Sequence, residues 1–273
     1  MSKETGFQFT DDTVPREYDE VLVPRLFEPW ALLLLDECNL HPNAIVLDVA
    51  AGPGTVARMA AKRLGLGGRV VATDISRPML EVAKSKPSLP DAAPITYTES
   101  PAVPLGVESA AFDFVLCQQG LQFFADRLAA LREMRRALKP GGQLTVTAWS
   151  RIEDNVFYAA LHAALRESAH VHLADRLLAP FSWPDPQDLK NAAEAAGFHD
   201  IRVRSATLPL VFEGGIAQAT RALAATPLAP SLTALPGGTR HKLNAAIDAH
   251  LAPLLADGKV SGKMTSNIAI ARK

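Results

Sequence analysis

Residues 45 to 57 read Ile45-Val46-Leu47-Asp48-Val49-Ala50-Ala51-Gly52-Pro53-Gly54-Thr55-Val56-Ala57. The apolar run at the start predicts a buried strand, and the apolar residues from Val56 onward recur at helical spacing. Between them lies a turn of small residues, whose two glycines permit unusual backbone angles or the close approach of a ligand. Strand, tight turn and helix in this order predict a ligand site at the carboxyl edge of a parallel sheet.

Two interpretations of this turn differ in the ligand that it binds. Gly52-x-Gly54-x-x-Ala57 fits the fingerprint of dinucleotide-binding folds, in which the turn holds a pyrophosphate at a helix N-terminus. Asp48 favours another ligand, because a carboxylate so close to the turn would repel a pyrophosphate. An acid followed by small residues suits a ligand with a cationic or hydrogen-bond-donating end, such as the ammonium group of an amino acid.

The pattern Asp48-x-Ala50-x-Gly52-x-Gly54 resembles the first motif of the class I S-adenosylmethionine (SAM)-dependent methyltransferases. The chain has Ala50 where glycine is commoner in that family, and this change leaves the backbone path open. The resemblance implies a Rossmann-like α/β fold with SAM as the methyl donor. It also implies that Asp48, Ala50, Gly52 and Gly54 are cofactor-binding positions.

Composition and charge exclude several classes of protein. Of 273 residues, 48% are hydrophobic and 21% are charged, which is typical of a globular chain with a full core. The formal net charge is −1 and no basic run is present, so we expect neither nucleic acid nor a membrane as a partner. Two cysteines, no signal-peptide pattern and no long apolar run predict a soluble, cytoplasmic protein without a metal cluster.

A second acid ends the second predicted strand, which covers residues 69–74. Asp74 comes about 20 residues after the glycine turn, where a carboxylate accepts hydrogen bonds from both hydroxyls of a ribose. It therefore predicts an adenosine in either ligand; the alternative is that Asp74 only caps the next helix. Ser76 is the better cap candidate. Ile75 and Met79 are candidates to enclose an adenine, although methionines on such a helix face are also common in cores.

The family resemblance adds three positions outside the glycine turn. A tyrosine at the position of Tyr18 reaches the methionine carboxylate of SAM in many relatives. Glu99 ends the third predicted strand, where relatives commonly have an aspartate that accepts a hydrogen bond from the adenine amino group; a solvated loop acid is the alternative. We expect the backbone of Ser100 to contact the cofactor in either case.

The fourth predicted strand, over residues 112–117, leads into a polar segment at the same edge of the sheet. We expect Gln118, at the mouth of the site, to contact the cofactor. Gln122 and Phe123 follow closely and are expected to face the substrate. Cys117 is interpreted as a small buried packing residue, since no base is near it in the sequence.

The next elements extend the resemblance. A helix is predicted over 126–138 and a strand over 143–149, with Lys139-Pro140-Gly141-Gly142 between them. The run from residue 112 to residue 142 resembles the methyltransferase subgroup that includes the ubiquinone/menaquinone-biosynthesis C-methyltransferases. The whole resemblance covers about residues 44–150.

The resemblance implies a doubly wound, seven-stranded, mostly parallel sheet with an antiparallel C-terminal edge strand. Residues 1–40 are predicted to form an N-terminal helical cover, 41–150 the SAM-binding core, and 151–273 the rest of the sheet. Helical insertions on the substrate side are expected over about 153–183 and 213–262. The second insertion separates the last two strands, and it either caps the substrate pocket or serves packing or oligomerisation.

The predicted activity is SAM-dependent methylation of a small, largely apolar molecule. Methyl transfer from a sulfonium is an in-line displacement in which alignment supplies much of the rate, so no catalytic residue is predicted. If the acceptor needs a general base, His162, His170 and His172 are candidates, because they lie in the variable pocket-forming segment. The seven histidines show no metal-binding spacing.

Three alternatives are compatible with the same residues. The first is an NAD-dependent oxidoreductase of the dinucleotide-binding fold, which Asp48 disfavours. The second is a non-catalytic SAM-binding protein, and the third is this fold using SAM for a reaction other than methyl transfer. The sequence does not indicate whether oxygen, nitrogen or carbon is methylated, or the oligomeric state.

Overall fold

One mixed sheet is the centre of the molecule. The structure is a computed structural model that describes residues 13–226 and 228–273. Most strands coincide with runs of β-branched and apolar residues, which favour extended backbone. The strands are β1 (Ile45–Val49), β2 (Arg69–Asp74), β3 (Ile95–Glu99), β4 (Phe112–Gln118), β5 (Leu138–Trp149), β6 (His199–Phe212), β7 (Leu255–Ala256) and β8 (Lys259–Arg272).

The order of the strands is β3-β2-β1-β4-β5-β8-β6, and the two-residue β7 pairs with β8 outside this path. β1 to β5 run parallel, whereas β8 is antiparallel to both β5 and β6. The predicted Rossmann-like, mostly parallel sheet with an antiparallel C-terminal strand is confirmed. The C-terminal strand β8 is not the edge strand that was expected, because β6 pairs on its outer side, and the short β7 makes the sheet eight-stranded. Since β1 has β2 on one side and β4 on the other, the connections diverge there and a crevice opens at the strand ends.

Helices cover both faces of the sheet. Ser76 caps the helix that follows β2, as predicted, by accepting a hydrogen bond from the Met79 backbone N–H at 3.5 Å. None of the described helices has the length and apolar composition needed to cross a membrane. The helical elements are α1 (Thr13–Glu17), a π-helical segment (Tyr18–Phe27), α2 (Glu28–Asp36), α3 (Thr55–Leu64), α4 (Arg77–Ser85), α5 (Arg127–Ala137), α6 (Val156–Glu167), α7 (Val171–Leu177), α8 (Pro186–Ala195), α9 (Gly215–Ala224), α10 (Ala229–Thr233) and α11 (Gly237–Leu251).

Alternate residues of β1 enter two different hydrophobic clusters, because successive strand residues point to opposite faces. Val46 belongs to the cluster that contains residues of α2 and α3, and Leu47 belongs to the cluster that contains residues of α5 and α8. Both residues are fully buried. The sheet is therefore covered on both faces, and its ligand-binding edge is at the ends of the strands.

A third hydrophobic cluster joins the N-terminal cover to the segment between β6 and β8. It contains Leu22 and Trp30 from the cover, Leu161 from α6, and Leu223 and Leu243 from α9 and α11. Residues of β8 complete the same cluster. The elements that the sequence places on the substrate side therefore share one core.

Two boundaries differ from the predictions. The strand expected from residue 143 begins at Leu138, because Leu138 pairs with Phe112 and the extra residues of β5 are accommodated by an irregularity in the ladder. The insertion expected to reach residue 262 is shorter, because β8 already begins at Lys259. Residues 1–12 of the predicted cover lie outside the described residues.

Candidate functional site

A cavity of about 840 Å3 opens at the carboxyl ends of β1, β2 and β4. One part of its wall consists of the turn after β1, the start of α4, the loop after β3 and the segment after β4. The other part consists of the π-helical segment, Trp149 at the end of β5, Tyr158 of α6, Pro180, and Ala225 and Thr226 after α9. The cavity lies at the switch point where open α/β sheets bind ligands.

The turn after β1 is fastened to the end of β2 by two backbone donors. The N–H of Ala51 donates to the carbonyl of Thr73 at 3.0 Å. The N–H of Gly52 donates to Oδ2 of Asp74 at 2.8 Å. Ala50 and Gly52 have φ angles of 57° and 54° and line the cavity, so the backbone of this turn is presented directly to a ligand.

Asp74 connects the two loops that border the cavity. Besides the bond from Gly52, its Oδ1 accepts from the N–H of Ser76 at 2.7 Å. Burial raises the pKa of Asp74, while the hydrogen bonds from the Ser76, Gly52 and Ile75 backbone lower it. Each carboxyl oxygen has further lone pairs, so Asp74 can also accept hydrogen bonds from a ligand in the cavity.

Asp48 does not line the cavity, so its expected contact with the cationic end of a ligand stays a prediction that the position of its side chain does not favour. Its side chain is buried beneath the turn, and Oδ2 accepts from the N–H of Ala57 in the first turn of α3 at 2.9 Å. The unpaired N–H groups and positive dipole end of this helix attract the carboxyl. Burial raises the pKa of Asp48 to about 8, the hydrogen bond from Ala57 opposes this shift, and nearby Asp74 adds to it.

Three other predicted contact residues also lie off the cavity. Gly54 precedes α3 with a φ of 79°, and its role is to let the chain enter the helix. Glu99 ends β3 beside Asp74 with an exposed side chain. Gln122 is buried, and its Nε2 lies 3.4 Å from Oε1 of Gln119. The lining of the cavity does not include these residues, and the ligand contacts predicted for them stay predictions.

The position of Gly54 leads to a stability prediction. An added Cβ would lie 2.9 Å from the Tyr97 hydroxyl oxygen and 3.2 Å from Cβ of Ala83, in addition to the strain of a positive φ. We expect Gly54→Ala to lower the free energy of unfolding by about 2–5 kcal/mol, from strain of about 1–2 kcal/mol and crowding of about 1–3 kcal/mol. Urea unfolding measures this loss.

Gly141→Ala is the matched control for the Gly54 variant. Gly141 has a similar φ of 75°, but an added Cβ would meet no atom within 4 Å. The free energy of unfolding of Gly141→Ala should therefore fall only by the backbone strain, about 1–2 kcal/mol. Equal losses in the two variants would contradict the tight contact between the turn and Tyr97.

The structure brings most of the predicted site residues to the cavity. Burial raises the pKa of Tyr18 well above its ordinary value, with smaller contributions from Tyr158, Asp74 and Asp19, so its phenol stays protonated. Nε2 of Gln118 donates to the carbonyl of Phe27 at 2.9 Å, which connects the end of β4 to the π-helical segment. The predicted residues that line the cavity are Tyr18, Ala50, Gly52, Asp74, Ile75, Met79, Ser100, Gln118 and Phe123.

An aromatic wall at the other end of the cavity was missed by the sequence analysis. The Phe27 ring centroid lies 4.8 Å from that of Tyr18 and 6.4 Å from that of Trp149. Tyr158 packs edge-on against Phe181 at 5.3 Å. The sequence indicated a cavity-lining position only for Trp149, which lies at the carboxyl end of a strand. The other rings come from helical segments, where apolar periodicity indicates only packing.

The described lining carries few groups for acid–base chemistry. Its charged side chains are Asp74, Arg77 and Asp126, and Asp126 is an exposed helix cap that accepts from the Ala129 N–H at 2.8 Å. The candidate bases His162, His170 and His172 do not line the cavity. Among the described residues, no group of histidine, cysteine or acidic side chains has the arrangement of a metal site.

Sequence comparison gives a matching family model and curated relatives. A family model for the methyltransferase domain matches residues 47–146. The chain is 30% identical, over 198 residues, to a demethylmenaquinone methyltransferase of Staphylococcus saprophyticus. That alignment covers 69% of this chain and 82% of the relative.

Solved structures share the fold. A phosphoethanolamine N-methyltransferase 2 of Haemonchus contortus in complex with S-adenosyl-L-methionine superposes with a TM-score of 0.60 at 19% identity, covering 96% of this chain. The chain spans only 57% of that protein. A methyltransferase structure from Bacillus halodurans gives a TM-score of 0.55 at 22% identity, covering 89% of this chain and 98% of the other.

Proposed function

We propose that the methyl acceptor of this chain, which belongs to the family of SAM-dependent methyltransferases, is a small, largely apolar molecule with an oxygenated ring. The observation that carries the proposal is a single cavity with two unlike ends. One end has the glycine turn and Asp74, and the other is built mainly from aromatic and aliphatic side chains. Such a site suits a polar donor and an apolar acceptor side by side.

The donor end is proposed to hold SAM through residues of the four segments around β1. Asp74 accepts hydrogen bonds from the ribose hydroxyls, and the backbone of the hydrogen-bonded turn at Gly52 lies along the methionine portion of SAM. Ile75, at 54% exposure, and buried Met79 offer apolar surface for the adenine. Tyr18 is placed to donate to the methionine carboxylate, because its phenol is protonated and lines the same space.

The acceptor end is defined here by Leu22, Phe27, Trp149, Tyr158 and Pro180, together with Ala225 and Thr226. These residues come from the N-terminal cover, the end of β5, the region after it and the segment between β6 and β8. None of them is charged. The demethylmenaquinone methyltransferase relative acts, by its name, on a quinone-related molecule, and the aromatic and aliphatic lining of the acceptor end suits a ring of that kind.

The residues of the cavity would contribute alignment and exclusion of water. The donor methyl is already activated by the positive sulfur, so the reaction needs the acceptor nucleophile in line with the methyl–sulfur bond. Correct orientation supplies on the order of 7–11 kcal/mol of a barrier. A buried aromatic wall holds a flat ring in one orientation and keeps water from the sulfonium.

Calorimetric titration tests the donor assignment. We expect SAM and S-adenosylhomocysteine to bind, and NAD and NADP to give no measurable heat under the same conditions. The family assignment supports this result, whereas Asp74 alone does not separate the two ligands, because NAD also contains an adenosine. Binding of NAD without SAM would contradict the donor site.

Turnover tests the acceptor assignment and separates an enzyme from a non-catalytic SAM-binding protein. We expect labelled methyl groups to be transferred from SAM to a naphthohydroquinone under anaerobic conditions, and not to ethanolamine phosphate. SAM binding together with transfer only to the charged amine would contradict the proposed apolar acceptor.

A further inference from the structure

The acceptor end contains one phenol, the side chain of Tyr158. Tyr158 lies in the first turn of α6, is 8% exposed and lines the cavity. No hydrogen bond to its hydroxyl occurs within the described residues, and burial alone raises its pKa. Tyr158 lines the cavity and its hydroxyl is not among the fully enclosed polar atoms that lack a partner, so a ligand group can pair with it and stabilise the complex.

The backbone around Tyr158 is held firmly. The Tyr158 N–H donates to the carbonyl of Asn155 at 3.0 Å. Asn155 is fully buried, and its side chain donates to the carbonyl of Arg151 at 2.8 Å and accepts from the N–H of Thr265 in β8 at 3.0 Å. Phe181 packs edge-on against the Tyr158 ring. The phenol is therefore fixed by α6, β8 and the turn at Phe181 before any ligand binds.

The acceptor must lose a proton if its reacting group is a hydroxyl or an enolic carbon, and the cavity offers no evident base for this step. Histidine and lysine are missing from the described lining. The titratable groups that border the same space are Tyr18, Asp74, Arg77 and Asp126. Asp74 is engaged by backbone N–H groups, including those of Gly52 and Ser76, and Asp126 caps α5. An acceptor that reacts as a preformed anion needs none of these titratable groups as a base.

We propose that the Tyr158 hydroxyl donates a hydrogen bond to a ring oxygen of the acceptor and that the acceptor reacts as its oxyanion. The inference rests on the proposed function. The electron pair of the anion forms the new bond to the methyl carbon, and the methyl–sulfur bond breaks with its electron pair left on sulfur. The positive charge of the sulfonium and the negative charge of the acceptor cancel, while the proton has already gone to solvent.

Tyr158→Phe tests this role, because it removes the hydroxyl and keeps the ring that packs on Phe181. We expect kcat/KM for a naphthohydroquinone to fall about 10- to 150-fold, the range for a hydrogen bond to a charged group. The dissociation constant for SAM should change less than about 2-fold. Tyr97→Phe is the matched control, because Tyr97 is a half-buried tyrosine on β3 that does not line the cavity.

The pH profile distinguishes this role from a structural one. The kcat at saturating acceptor, which reports ionisation of the bound acceptor, should rise with pH to a plateau, and its midpoint should be lower for a more acidic, ring-fluorinated naphthohydroquinone than for the parent compound. Tyr158→Phe should raise the midpoint by about one to two pH units for both, since one unit corresponds to a 10-fold change in the stability of the anion.

The outcomes separate this inference from the proposed function. Wild-type turnover of both hydroquinones with the same rates and midpoints in Tyr158→Phe would overturn the role of Tyr158 and leave the acceptor class intact. A midpoint that is identical for the two hydroquinones would overturn reaction of a preformed anion. Failure of the wild-type protein to methylate either compound, although it binds SAM, would overturn the acceptor class and this inference together.

Discussion

Asp74→Ala is expected to weaken SAM binding about 10- to 150-fold. The carboxylate has two tasks in the structure. It accepts from the N–H groups of Gly52 and Ser76, at 2.8 and 2.7 Å, and it presents its remaining lone pairs to the cavity. The variant loses the ligand bonds and also releases the turn that carries the ligand-binding backbone. Calorimetric titration with SAM measures the loss.

Two acidic positions serve as comparisons for Asp74→Ala. Asp36→Ala removes the same charge from a 65% exposed side chain paired with Arg63, and it should leave the dissociation constant within about 2-fold. Glu99→Ala should behave like Asp36→Ala, because Glu99 is exposed and does not line the cavity. If Asp74→Ala binds SAM as tightly as these two variants, Asp74 only stabilises the loops through its hydrogen bonds and does not contact SAM.

The donor end was predictable because its signals are local in sequence. The order of strand, small-residue turn and helix fixes where the turn after β1 lies, and an acid at the end of the next strand must come beside it in a parallel sheet. The register confirms this neighbourhood, with Val49 paired with Thr73 directly before the turn. Ala50, Gly52 and Asp74 therefore reach the same cavity as expected.

Side-chain direction was less predictable than position. Asp48 lies near the carboxyl end of β1 and Glu99 lies at the carboxyl end of β3, as expected, but neither side chain borders the cavity. The carboxyl of Asp48 instead accepts a hydrogen bond from the N–H of Ala57, which has no partner within the first turn of α3. The side chain of Glu99 is exposed to solvent at the end of β3. The spacing of residues in a motif does not indicate which of two nearby partners a carboxylate will choose.

The acceptor end was predictable only as a set of segments. Phe27, Trp149, Tyr158 and Ala225 are distant in sequence, and they meet because the cover, β5, α6 and α9 share one hydrophobic cluster. Apolar periodicity predicts that each helix is buried on one face, but it does not indicate which buried residue borders a cavity. A tyrosine such as Tyr158 therefore looks like any core residue until the neighbouring elements are placed.

The segment between β6 and β8 both packs and lines the cavity. Leu223, Leu228, Leu243 and Ile247 are buried in the shared cluster, so removing the whole segment would expose that core. Ala225 and Thr226 are its residues on the cavity. A single substitution at this point therefore tests the contribution to acceptor binding, whereas a deletion would also test stability.

Ala225→Leu is expected to lower kcat/KM for a naphthohydroquinone on the order of 100-fold or more, because one methylene in a hydrophobic pocket already changes discrimination 10- to 200-fold. The dissociation constant for SAM should change less than about 3-fold, since the donor end is built from other segments. Ala234→Leu, at an exposed position of the same segment, is the matched control for the added volume. A single-ring hydroquinone should lose much less activity than the two-ring compound in Ala225→Leu. Equal losses for the two acceptors, or none for either, would contradict a wall at Ala225 that limits acceptor size.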